Sequence, residues 1–188
     1  MKFVGTNGCN HMHKVTISGH PGSGTTTLVT GLKEKLGWTS INGGEIFRNE
    51  ANNRGLSLAQ FGDLCSDDES VDLELDEILR QRILDSHINI VESRLAGWWA
   101  FKLNADCIRI WLNVSEKERA KRVAKREQIS LTAALQANAS RLTTDNERYQ
   151  NMYGFLPEDP TPYTHIIEAS DMTAQNVLEE AINIIGGS

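Results

Sequence analysis

The chain has 188 residues, 39% of them apolar and 23% charged, with a net charge of −6 at neutral pH. That length fits one domain, large enough to fold without a disulfide or metal staple. No apolar run is long enough to span a bilayer, no basic segment followed by an apolar stretch marks the start for export, and the acidic balance argues against coating nucleic acid.

Three widely spaced cysteines, Cys9, Cys65 and Cys107, suit free thiols in a reducing compartment, so a cytoplasmic protein without membrane or nucleic-acid partners is expected. The charges are clustered. Residues 63–77 carry Asp63, Asp67, Asp68, Glu69, Asp72, Glu74, Asp76 and Glu77 with no Lys or Arg, whereas residues 119–148 carry Arg119, Lys121, Arg122, Lys125, Arg126, Arg141 and Arg148 against three acids. Two solvated helix faces and a local cationic site for a small anion both fit this pattern.

Residues 1–12 lack any period and read as a flexible extension, leaving 13–188 as one domain. His13–Ser18 is the first expected strand. A helix from about Gly24 to Leu36 follows, with Leu28, Leu32 and Leu36 on one face, and Gly37 stops it. A short strand at Trp38–Ile41 leads through an Asn42-Gly43-Gly44 turn into a helix from Glu45 to about Asn53. Ser57 caps a short helix, and Val71–His87 has strong helical spacing.

Ile88–Val91 is an apolar run of the kind buried on both faces of a parallel sheet. Cys107–Val114 is a further strand. Ser115 and Glu118 form a capping box for a helix to about Glu127, and Ser130 caps a long helix towards Tyr153. Thr164–Glu168 and Thr173–Ile185 complete the chain as strand and helix. Strands alternating with helices predict an α/β fold, a parallel sheet of about five strands with helices on both faces.

The first strand runs directly into Gly19-His20-Pro21-Gly22-Ser23-Gly24-Thr25-Thr26-Thr27 and then a helix. This G-x-x-x-x-G spacing in a strand–loop–helix context is that of a phosphate-binding loop. Its glycines let successive N–H groups turn towards phosphate oxygens, and the helix N-terminus adds partial positive charge. Thr26 stands where a hydroxyl ligand of Mg²⁺ belongs. Position 25 is Thr, where a lysine is usual.

VTISGHPGSGTTT, GGEIFR and VESRLAGWW, in that order and spacing, resemble the archaeal-type cytidylate kinases, a family of P-loop nucleoside monophosphate kinases. The resemblance covers about Met12 to Ser188. It implies a P-loop kinase fold with a helical lid, and transfer of the ATP γ-phosphoryl group to CMP or dCMP with Mg²⁺, by a monomer. It also makes Thr25 a family trait, since the loop there commonly reads GPPGSGTTT; His20 departs from it. It places the acceptor-binding segment at about 42–87 and the lid at about 119–150. The loop residues Gly19 to Thr27 are then the ATP site, and Gly44 and Arg48 belong to the acceptor site, with Arg48 gripping the acceptor phosphate. The acidic pair Asp72 and Asp76 is matched in the family and fits the acceptor nucleoside; a solvated helix face fits it equally.

Glu92 and Arg94 stand just past the buried strand, and in open α/β sheets strand carboxyl ends meet the ligand crevice. That position suits Glu92 to the Mg²⁺ water shell and Arg94 to an acceptor phosphate. Arg122 and Arg126, four apart, share one helix face, as do Arg141 and Arg148, seven apart. Arg126, Arg141 and Arg148 are the candidates to supply the charge that Thr25 does not. The alternatives are another small P-loop kinase, with adenylate or uridylate as acceptor, or a non-catalytic nucleotide-binding module. The pair Trp98–Trp99 stays unassigned, and Cys9, His11 and His13 are not read as a metal site.

Overall fold

The computed structural model describes residues 14–57, 60–61, 64–65 and 68–187. The extension at 1–12 and its Cys9 and His11, together with His13, lie outside the described residues. Five parallel strands, β1 (Val15–Gly19), β2 (Ser40–Asn42), β3 (Ile90–Glu92), β4 (Ile108–Asn113) and β5 (His165–Glu168), form one sheet in the order β2-β3-β1-β4-β5. Between and after them run α1 (Thr25–Leu36), α2 (Gly43–Asn53), α3 (Glu69–Leu84), α4 (Ala96–Lys102), α5 (Glu116–Glu127), α6 (Leu131–Tyr153) and α7 (Ala174–Gly186). The expected α/β architecture is present.

Alternation along β1 builds the two faces. Val15 and Ile17 are fully buried beneath α1 and α7, in a cluster with Leu28, Leu32, Ile110 and Val177. Ser18, on the opposite face, accepts from Gly97 N at 3.2 Å and donates to Ser93 O at 2.8 Å, which anchors the start of α4. A Cβ at Gly97 would lie 2.3 Å from the Tyr163 ring, so only glycine admits this approach.

The Trp pair belongs to the second core. Trp98 stacks on Phe155 at 4.1 Å, and Trp99 is 2% exposed with its Nε1 donating to Asp76 at 3.1 Å. Each ring supplies a large apolar area, worth about 1.5–3 kcal/mol when buried, and each indole N–H finds an acceptor, Leu156 O serving Trp98.

Several boundaries differ from the sequence reading for local reasons. Asn42 ends β2 and also caps α2, its Oδ1 accepting from Glu45 N at 2.6 Å, so Gly43 and Gly44 form the first helical turn instead of a free turn. The strand expected at Ile88–Val91 is Ile90–Glu92, because Asn89 N and Ile90 N both donate to Thr39 O before the ladder begins. Glu92 is therefore a strand residue, paired in register with Ile17 and Asn42. Helix α3 starts at Glu69, capped by Asp68, and stops before His87 because Asp85 accepts the His87 amide at 2.9 Å. Ser57 and Gln60 exchange the two bonds of a capping box. The box at Ser115 is half formed: Ser115 Oγ accepts from Glu118 N, but the Glu118 carboxylate turns to Lys121 and Arg122.

Candidate functional site

The carboxyl ends of β1, β2 and β3 open onto a cleft of about 810 Å³, within the usual range of small-molecule sites. Its floor is the loop between β1 and α1. Gly22 has φ +84°, and a Cβ there would meet Arg119 O at 2.8 Å, so the loop lies directly against the backbone of α5. Ser23 N bonds back to His20 O at 3.0 Å, closing the turn. Thr25, Thr26 and Thr27 begin α1, so their amides have no intrahelical acceptor and the dipole concentrates positive potential there. Gly19, His20, Pro21, Gly22, Thr25 and Thr26 line the cleft. Ser23, Gly24 and Thr27 line a neighbouring hollow of about 210 Å³ with Leu112, Arg122 and Val177.

Thr26 Oγ1 donates to Glu92 Oε1 at 2.8 Å. The second oxygen, Glu92 Oε2, is buried with no hydrogen-bond partner among the described residues. A hydroxyl beside a carboxylate with one unsatisfied oxygen is a hard, anionic donor set, which fits Mg²⁺.

The facing wall is built of side chains. Arg94, which follows β3, pairs through Nη1 with Asp145 on α6. The same carboxylate lies 3.8 Å from Arg141 Nε and 3.6 Å from Arg148 Nη2. Arg148 Nη1 reaches Asp72 on α3 at 3.1 Å. Three guanidinium groups thus face two carboxylates, leaving an excess positive charge in a partly desolvated wall. Burial pushes the Asp72 carboxyl up, and the Arg148 guanidinium partly offsets this. Arg48 also lines the cleft; it is exposed and has no ion pair among the described residues. Gly44 stands beside it: a Cβ there would lie 3.4 Å from Arg48 Nη1.

Beside this wall a side pocket of about 130 Å³ lies between α2, α3 and α6. Asp72, Asp76, Ser93, Tyr149 and Tyr153 line it. Asp76 is the more committed carboxylate, accepting from Trp99 Nε1 and from the Tyr153 hydroxyl, with burial raising its pKa.

Sequence-nominated residues from 19 to 148 thus converge on one cleft and its side pocket, except Ser23, Gly24 and Thr27, which line the neighbouring hollow. The basic run at 119–126 divides. Arg119 is buried, with Nε on Val114 O just after β4, and Arg122 donates to Ser23 O at 2.8 Å and Ala169 O at 3.3 Å, so Arg122 braces the loop. Arg126 lines the cleft from an exposed position, bonded to Glu127 at 2.8 Å. Sequence reasoning missed Asp145, the hub of the arginine cluster. Its spacing, four after Arg141 and three before Arg148, was the available signal.

Residues 18–134 match the family model described as an AAA domain. The chain is 39% identical to a cytidylate kinase of Methanospirillum hungatei JF-1, over 87% of this chain and 91% of that protein. It is 40% identical to a cytidylate kinase of Halobacterium salinarum, over 79% of this chain and 77% of that one. Among solved structures, a shikimate kinase from Acinetobacter baumannii in complex with shikimate superposes with a TM-score of 0.61 at 13% identity, covering 93% of each chain. At that identity the likeness speaks for the P-loop kinase fold.

Proposed function

The chain belongs to the cytidylate kinase family and is a phosphotransferase, and we propose that it moves the γ-phosphoryl group of ATP to CMP or dCMP, giving CDP or dCDP. The observation that carries this reading is the pairing of a backbone phosphate loop with a facing cluster of arginines across one cleft. Two phosphate-bearing substrates meeting end to end need that arrangement, because phosphoryl transfer depends mainly on positioning and charge neutralisation.

The loop Gly19–Thr27 holds the ATP phosphates, and the hollow beside Arg122 and Val177 takes the donor base. Arg48 and Arg94 bind the acceptor phosphate, while the side pocket at Asp72 and Asp76 takes the acceptor base. Thr26 and Glu92 would hold Mg²⁺, which when bound would supply positive charge against the polyphosphate. Arg126, Arg141 and Arg148 add the charge that Thr25 does not provide. The hairpin at about 119–150 serves as the lid that excludes water, the competing acceptor. Its own core is small, built from Ala120, Val123 and Ala134, and this suits an element that moves as a unit. We place the protein in the cytoplasm as a monomer working in pyrimidine nucleotide metabolism; among the described residues no helix is long and apolar enough to cross a membrane.

The test is ADP release from Mg²⁺ and ATP across CMP, dCMP, UMP, AMP and GMP. CMP or dCMP should turn over best. Turnover of AMP far above CMP would contradict the acceptor assignment, and no CDP at all would favour a binding module.

A further inference from the structure

His20 is the one titratable side chain within the loop Gly19–Gly24. Its side chain is 12% exposed and stands edge-on to Trp111, with ring centroids 5.0 Å apart. Nε2 lies 3.8 Å from Glu158 Oε2 in the segment after α6, too far for a hydrogen bond. Asn146, the neighbour of Asp145, donates through Nδ2 to Glu158 Oε1 at 3.3 Å. Three polar atoms of this chain of contacts, His20 Nδ1, Glu158 Oε2 and Asn146 Oδ1, are buried without a hydrogen-bond partner among the described residues. Such a cluster is costly as it stands. A proton on the ring would turn both nitrogens into donors, in surroundings where Glu158 Oε2 and Asn146 Oδ1 still lack one.

The charged groups around the ring are balanced. Burial is the largest influence and disfavours the cation. Glu158 favours it, Arg119 on α5 and Arg94 after β3 oppose it, and Asp145 on α6 favours it; the outcome is a pKa lowered to about 4. His20 also lines the cleft. Polyphosphate in that cleft would offset Arg94 and add negative charge on the same side.

We propose that His20 takes up a proton from solvent when the phosphates of a nucleotide enter the cleft. The imidazolium then closes on Glu158 and cancels that carboxylate's negative charge beside the phosphate loop. This rests on the reading of the cleft as a nucleotide site. Because Glu158 is bonded to Asn146, the same proton links the loop to the helix that carries Arg141 and Arg148. His20 acts here as a positioning residue whose charge state follows occupancy.

The experiment is a pH titration of histidine ring resonances by NMR on the full chain, without and with saturating ADP. The His20 signal is identified by its loss in His20→Gln, and exposed His87 and His165 serve as internal controls. The His20 midpoint should sit well below 6.5 in the free protein. With ADP bound it should rise to about 7, a gain of about three units or a thousandfold in proton affinity, and by less in Glu158→Gln. A midpoint that stays below about 6 with bound ADP, or an undiminished rise in Glu158→Gln, overturns the proposal. If ADP shifts no resonance in the protein, the nucleotide-site reading falls, and this inference with it.

Discussion

The wall formed by residues 19–27 presents backbone, whereas the wall facing it presents guanidinium and carboxylate groups from Asp72, Arg94, Arg141, Asp145 and Arg148. Main-chain amides are held by covalent geometry and by the turn that Ser23 N closes on His20 O, so they are preorganised before any ligand arrives. The ion-pair wall comes from α3, α6 and the residues after β3, and its arginines already share Asp145. One wall is rigid and weakly charged; the other is adjustable and carries full charges. Under the proposed function, a loop without a lysine works because its partner wall supplies the charge.

The comparison is broken most directly on the charged side. Arg94→Ala and Arg148→Ala should each lower kcat by about two orders of magnitude or more, as expected for losing a preorganised donor at developing charge; steady-state kinetics with ATP and CMP would show it. On the backbone side, Gly22→Ala forces a side chain onto φ +84° and against Arg119 O. It should cost about 2–3 kcal/mol of stability and raise the KM for ATP, read by urea denaturation and by kinetics.

Acid sharpens the contrast, because the loop itself holds a titratable group. His20 has a folded pKa of about 4, below the unfolded value near 6.5, so its proton binds the unfolded state more tightly. Its contribution to stability is unaffected above about pH 6.5 and falls as the pH drops towards 4. The loss should reach about 2 kcal/mol by pH 5, and His20→Gln should remove that part of the slope in denaturation curves. The smallest effect belongs to Thr25→Lys, for which kcat should change by less than about threefold, since the cleft already holds the charge.

The same contrast explains what could be read from the sequence. The phosphate loop is contiguous, and its glycines, threonines and flanking strand and helix identify it without any tertiary information. Arg94, Arg141 and Arg148 were nominated, but their convergence on Asp145 is a fact of topology: β3 lies beside β1, and α6 folds back over that edge. Asp145 stood unremarked among the few acids of a basic stretch. Charge alone could not separate Arg119, held at Val114 O, and Arg122, which braces the loop at Ser23 O, from Arg126, which reaches the cleft. Glu92 was assigned to the right end of the right strand, yet one residue outside it, because the Thr39–Asn89 contacts delay the ladder. The Trp pair needed Phe155 and Asp76, distant in sequence, before its core role was visible.

The central claim is that the backbone wall holds the donor and the side-chain wall holds the acceptor. Calorimetric titration of ADP and of CMP, separately, into the wild-type chain, Gly22→Ala and Arg94→Ala tests it most directly. Gly22→Ala should weaken ADP by about tenfold and leave CMP within about threefold, and Arg94→Ala should do the reverse. Equal losses for both ligands in both variants, or the opposite pattern, would contradict the division.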